Sequence, residues 1–336
     1  MANVKELETI DAESVNMNPD KLRELDIALN FQLGIIKGIA ILRKGGIVFE
    51  KYFKGYHAEN THHLTSVTQS VTSALVGIAI DKGYIKSVDQ PILDFFPEAE
   101  SKASDMLKRH LTIKHLLTMT APYSWKKSEP LDRLRRQKNW TMFMLEMLGQ
   151  KGQLGEFQFN MSNAHLLSAI ITLSTGLSTR EFANKSLFSH LGVKEIDDQQ
   201  MKSFSKEDVY GENITSWIKD PQNINTGGWG LSLTLRDMLR LGYLYLNKGQ
   251  CNDKPIISEN WITESLKQHT EDCGYMWWLR EDKGINTFLA AGIGGTYLYC
   301  VPEKDLIVAI VSKVDKMIID RWELMADYII PSITDS

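Results

Sequence analysis

Residues 66–83 constrain the fold more than any other stretch of this chain. They run Ser66-Val-Thr-Gln-Ser-Val-Thr-Ser-Ala-Leu-Val-Gly-Ile-Ala-Ile-Asp-Lys-Gly83, with small or apolar residues at almost every position. A helix that is apolar all round is stable only when other structure covers its whole circumference. Gly83, directly after Asp81-Lys82, is a helix stop signal. The chain has 336 residues, 43% of them apolar and 24% charged, so it can build a core thick enough to enclose such a helix.

The flanking patterns say what does the enclosing. Residues 20–31 carry apolar residues at helical spacing, with Asp20 as the expected N-cap. Residues 38–53 read as two β runs joined at Lys44-Gly45-Gly46, where glycine tolerates positive φ. Helices are predicted at 112–119, 139–149, 163–175, 178–190 and 234–247. The pattern then returns to strands at 277–279, 288–291, 296–301 and 306–311, with a turn at Pro302–Asp305 and a last helix from Lys316 to Ile329. Strand zones at both ends around a helical middle predict an α+β fold. One antiparallel sheet is built from both chain ends and flanked by helices, and a mostly helical lobe is inserted. The expected division is 1–64 with 268–336 for the sheet lobe and 65–267 for the helical lobe, with the active-site cleft between them.

Composition excludes several functions. The net charge is −4, which gives no electrostatic footprint for nucleic acid. The densest basic stretch, Asp132–Lys138, is interrupted by acidic and apolar residues and reads as a solvated helix face. Cys251, Cys273 and Cys300 match no metal spacing and read as three thiols in a reducing compartment. No metal or cofactor is expected. Residues 1–10 contain no apolar signal core and no run of about 18 apolar residues occurs, so no membrane span is expected. The compartment expected is the cytoplasm, with an extracytoplasmic one open only to a chain that has lost a leader.

Chemistry concentrates at Thr65-Ser66-Val67-Thr68-Gln69-Ser70. A serine that opens a buried helix sits among unsatisfied backbone N–H groups. Its hydroxyl can attack a carbonyl while its own N–H holds the oxyanion. The same serine can equally be a plain N-cap. The wider segment from His62 to Gly83 resembles the nucleophile segment of class C-type β-lactamases and related penicillin-binding esterases. The resemblance continues through 87–97, 111–120, 230–238 and 242–249, in family order, and covers roughly residues 36–312. It implies a serine β-lactamase or penicillin-binding-protein fold with Ser66 as nucleophile, acting on a small-molecule or peptide-like acyl substrate.

The departures from the family pattern are informative. Gln69 stands at the lysine of Ser-x-x-Lys, one turn from Ser66, and a neutral amide cannot usefully accept the serine proton. For the Tyr-x-Asn motif two registers are open. One puts Phe159 at the tyrosine; the other puts Met161 there, followed by Ser162-Asn163. Neither supplies the phenol. The strand motif reads Gly292-Ile293-Gly294-Gly295, with Gly295 N–H as the candidate second oxyanion donor, or else a glycine bulge in an edge strand. His165 reads as a buried histidine or as a replacement base. His62 and His63 precede the nucleophile closely. Trp125, Trp217 and Trp229 line the cleft or simply pack in the core. The function expected is an acyl-enzyme serine hydrolase of β-lactams, esters or peptide-like amides, weakened at Gln69 and Phe159. The alternative is a degenerate relative that binds a peptidoglycan-like or acyl ligand without turnover.

Overall fold

The computed structural model describes residues 6–31, 35–100, 106–125, 130–149, 153–315 and 319–335. Helix α1 (Pro19–Asn30) begins one residue before the expected cap. Asn18, not Asp20, is the N-cap: its side chain accepts the Asp20 N–H at 2.8 Å, and Pro19 fits the first helical position. Strands β1 (Ile36–Arg43) and β2 (Gly46–Tyr52) form a hairpin across Lys44-Gly45. Both turn residues have positive φ, 47° and 84°, which matches the right-handed twist of the strands they join.

Four C-terminal strands complete the sheet: β3 (Trp278–Asp282), β4 (Ile285–Gly292), β5 (Thr296–Val301) and β6 (Leu306–Ser312). The order is β2-β1-β6-β5-β4-β3, six strands with every ladder antiparallel. The two ends of the chain meet where β1 pairs β6, with Ile39 opposite Ile310 and Ile41 opposite Val308. This is the predicted α+β sheet.

Period-two alternation gives the sheet two apolar faces. Ile39, Ile41, Val308 and Ile310 face Leu25 and Leu29 of α1 and the C-terminal residues Trp322, Met325 and Ile329. Ala40, Leu42, Ile307 and Ala309 face the larger core, which holds α2 (Val67–Asp81), α3 (Trp140–Met147), α4 (Ser162–Thr175) and α5 (Leu235–Leu246). Every residue of α2 from Val67 to Ala79 is buried, as its composition requires. Each buried Leu, Ile or Val there contributes roughly 1.5–3 kcal/mol. Helix α5 lies directly on the sheet: a Cβ at Gly242 would sit 2.7 Å from Ile307 and 3.1 Å from Cys300 Sγ.

The C-terminal helix differs from expectation. Residues 316–318 lie outside the described residues, and Ile319–Arg321 are not helical. The helix starts at Trp322, whose N–H is taken by the Asp320 carboxylate at 2.9 Å, and it widens to a π turn over Met325–Ile329. The predicted helix at 178–190 is likewise split by a π turn at Asn184–Phe188. The three cysteines are separate buried thiols. No described helix is long and apolar enough to cross a membrane.

Candidate active site

The approach to Ser66 is held rigidly. His62-His63 pairs with Ser232-Leu233 in a short antiparallel ribbon, and Leu64 N–H continues it to Leu231 O at 2.9 Å. His63 locks this ribbon from the side. Its Nε2 accepts the Gly230 N–H at 3.1 Å, so the ring proton sits on Nδ1 and is donated to Gly211 O, also at 3.1 Å. Burial pushes His63 down to about 4 and keeps it neutral. Both ring nitrogens are therefore engaged in structure.

Thr65 comes next, with φ at +49°. A β-branched residue in this region is strained, and such strain persists only where the surroundings impose it. The turn it makes delivers Ser66 to the N-terminus of α2. Ser66 is half-buried and its side chain makes no capping hydrogen bond. The first-turn amides of Val67, Thr68 and Gln69 are satisfied by the carbonyls of Leu64, Thr65 and Ser66 at 3.2, 3.2 and 3.0 Å. The hydroxyl is therefore not used to cap the helix.

The helix is fixed on its two flanks by carbonyls from distant segments. Thr72 Oγ1 donates to Gly227 O at 2.8 Å, Gln69 Nε2 to Gly228 O at 3.4 Å, and Ser70 Oγ to Met276 O at 2.7 Å. Gly227 and Gly228 are glycine for steric reasons. A Cβ on Gly227 would overlap Ala164 O, and one on Gly228 would sit 2.6 Å from Met161 O. Gln69 thus connects, through Gly228, to Met161, the residue that caps α4. In the first turn of α4, Asn163 is wholly buried. Its N–H donates to Asn160 Oδ1 at 3.0 Å, while neither atom of its side-chain amide has a partner among the described residues.

Strand β4 supplies the third wall. Its ladder with β3 stops at Leu289, whereas its ladder with β5 runs on to Gly292. Beyond Leu289 one edge of β4 is therefore not flanked by β3. Gly292 lies against the Thr65 turn so closely that a Cβ there would overlap Thr65 Oγ1 and sit 2.7 Å from Leu64 O. Gly294 and Gly295 make the following turn with φ of +80° and +90°, which only glycine adopts easily. Gly295 N–H points back at Gly292 O at 3.4 Å, inside the turn, and Ser312 Oγ holds the Gly295 carbonyl at 2.8 Å.

The remaining predicted positions each have their own setting. His165 is fully buried, with Nε2 3.1 Å from Asp220 Oδ2 and with Trp140 and Trp229 against its ring. Phe159 is 47% exposed, and its ring stacks on Trp278 at 6.0 Å. Trp217 and Trp229 are core residues, the former donating Nε1–H to Thr226 O at 2.8 Å. Trp125 stacks on Tyr123 at 4.2 Å. Among residues not singled out from sequence, Gly227, Gly228, Met276 and Trp278 matter most. The doublet Gly227-Gly228 was a readable sign of close backbone approach; a backbone carbonyl such as that of Met276 leaves no such sign.

Three comparisons bear on this arrangement. A 6-aminohexanoate-dimer hydrolase from Paenarthrobacter ureafaciens is 24% identical over 294 residues, covering 80% of this chain and 70% of the relative. A Bacillus anthracis structure provisionally named 6-aminohexanoate-dimer hydrolase superposes with a TM-score of 0.71 at 19% identity, over 91% of this chain and 80% of that one. The octameric penicillin-binding protein homologue from Pyrococcus abyssi superposes with a TM-score of 0.67 at 21% identity, over 89% and 74%. The Beta-lactamase family model matches residues 35–326, and with the serine-headed buried helix and the both-ends sheet in place, this chain belongs to the beta-lactamase family.

Proposed function

We propose that this protein is a serine hydrolase that forms an acyl-enzyme on Ser66 with an ester or linear amide, and that it turns over slowly. The observation that carries the reading is the state of Ser66. The residue is half-buried and its hydroxyl is free of capping duty, behind a strained Thr65 that packs against the glycine end of β4, where the β3 ladder has stopped. In the reaction the Ser66 oxygen bonds to the carbonyl carbon, the C–N or C–O bond breaks, and the serine proton ends on the departing amine or alcohol. Ser66 N–H is the oxyanion donor in this reading; Gly295 N–H, the second donor expected from sequence, is turned to Gly292 O at 3.4 Å instead. The similarity to a protein named for hydrolysing 6-aminohexanoate dimer supports a linear amide over a ring-opened one.

Slowness follows from the proton inventory. Gln69 can donate to Gly228 O but cannot take the serine proton. His63 has both nitrogens engaged, and His165 is turned to Asp220. A positioned base is worth about 10²–10⁴-fold, and its loss leaves an oxyanion site that still accelerates by about 10³–10⁴ over water. The same inventory favours a second reading, a family member that binds an acyl ligand in the cleft between residues 65–267 and the sheet without turning it over.

Intact-protein mass spectrometry after incubation with a fluorophosphonate and, separately, a penicillin distinguishes the two. An adduct in the wild type that disappears in Ser66→Ala is expected. No adduct in either protein would refute the hydrolase reading and leave the binder.

A further inference from the structure

Phe157, Phe159 and Trp278 meet at one edge of the candidate site. The Phe159 ring lies 6.0 Å from that of Trp278 at an interplanar angle of 29°, and Phe157 meets the same indole edge-on at 5.9 Å. Phe159 presents 47% of its surface to solvent, so one part of the cluster is open to a ligand.

Two independent anchors place Trp278 on the same side of α2 as Ser70, toward the end of β4 that meets Thr65. Ser70 lies one helical turn beyond Ser66, and its hydroxyl donates to Met276 O at 2.7 Å, two residues before Trp278. Trp278 is also the last β3 residue on the ladder, opposite Leu289. Gly292, which touches Thr65, is three residues further along β4, roughly 10 Å at strand spacing. Phe159 approaches from the opposite wall, two residues before Met161, which backs onto Gly228 and so onto Gln69. The cluster therefore stands where the β3 ladder ends and the open edge of β4 begins. The polar side chain between the two phenylalanines, Gln158, is committed to Trp125 O at 2.8 Å.

We propose that Phe159 and Trp278 form a subsite for a flat aromatic group carried on the acyl part of the substrate, so that this protein selects aryl-bearing acyl chains over short aliphatic ones. The proposal rests on the acyl-enzyme reading above. Ring pairs prefer offset-stacked or edge-to-face geometry, and the exposed Phe159 ring offers a third aromatic either one. An alkyl chain gains burial alone.

The test uses S-ethyl thioesters of 4-phenylbutyric, 4-cyclohexylbutyric and butyric acids, with the released thiol followed by a chromogenic disulfide. The readout is the ratio of kcat/KM for each ring-bearing acyl chain to that for butyryl. The expected phenylbutyryl ratio is about tenfold or more, with a smaller cyclohexyl ratio, and Trp278→Ala brings the phenylbutyryl ratio toward one. Phe159→Leu, at an exposed position, gives the same reading if Trp278→Ala misfolds. Phe31→Ala, 87% exposed just past the end of α1 on the other side of the sheet, leaves the ratio as it is. Equal phenyl and butyryl rates, or a cyclohexyl ratio matching the phenyl one, would overturn the aromatic assignment. If no thioester is turned over at all, the hydrolase reading fails separately. The subsite is then decided by tryptophan fluorescence titration with 4-phenylbutyramide against butyramide: about tenfold tighter binding lost in Trp278→Ala supports it, and equal affinities overturn it.

Discussion

Replacing Gly292 by alanine adds one methyl group at the point where the sheet touches the Leu64-Thr65 turn before Ser66. The added carbon would overlap Thr65 Oγ1 and stand 2.7 Å from the Leu64 carbonyl oxygen, against ordinary contact beginning at 3.4 Å. Thr65 Oγ1 can rotate away. Leu64 O cannot, because it belongs to a backbone held by the bonds of Leu64 N–H to Leu231 O and of Val67 N–H to Leu64 O. The strand end must therefore retreat from Ser66 by the better part of an ångström. Overpacking of this kind costs about 1–3 kcal/mol of stability, and a misplacement near 1 Å costs about 10²-fold in rate. The assay has two arms: a thermal melt by circular dichroism, and the rate of Ser66 labelling by a fluorophosphonate. The expected outcome is a melting temperature lower by a few degrees and labelling slowed about 10²-fold. Wild-type labelling by Gly292→Ala would refute the reasoning, because the β4 end would then not form part of the site.

Three further outcomes are expected. Burial holds His63 at about 4 in the folded protein, against an ordinary 6.5, so between those values the unfolded chain binds a proton that the native one does not. The stabilising effect of that neutral ring is complete above pH 6.5 and is lost as pH falls toward 4; the unfolding free energy from urea titrations should drop across that window by roughly 3 kcal/mol at most for this ring, and His63→Gln should make the dependence shallower, leaving the part due to His62, which burial also pushes down to about 4. Gly77→Ala, whose added Cβ would meet the Trp261 ring at 2.5 Å inside α2, should lower stability by about 1–3 kcal/mol in denaturant melts, and a neutral result would mean that Trp261 moves freely. Gln69→Lys combined with Phe159→Tyr should raise ester turnover by about 10²–10⁴-fold, since burial depresses the lysine pKa toward that of a base; no gain would count against placing the missing phenol at Phe159 and favour Met161.

Much of this protein was legible in the sequence because local chemistry and global packing agree there. The run from Val67 to Ala79 has no polar face to offer solvent, so its complete burial followed from composition. The Lys44-Gly45 turn and the alternation along 288–312 set the hairpin and the strands, and Ser66 at the head of the buried helix marked the candidate nucleophile. Where sequence reading went astray, a single local bond intervened: Asn18 took the cap expected of Asp20, and Asp320 delayed the last helix to Trp322.

What surrounds Ser66 was decided only in three dimensions. That Gln69 would reach Gly228, that Ser70 would hold Met276, and that Phe159 would lie on Trp278 are contacts between residues 119 to 206 positions apart. No local propensity encodes such pairs. They arise because the middle of the chain folds back over α2 while the sheet closes on it, so that Gly228 from the one and Met276 from the approach to the other hold the same buried helix.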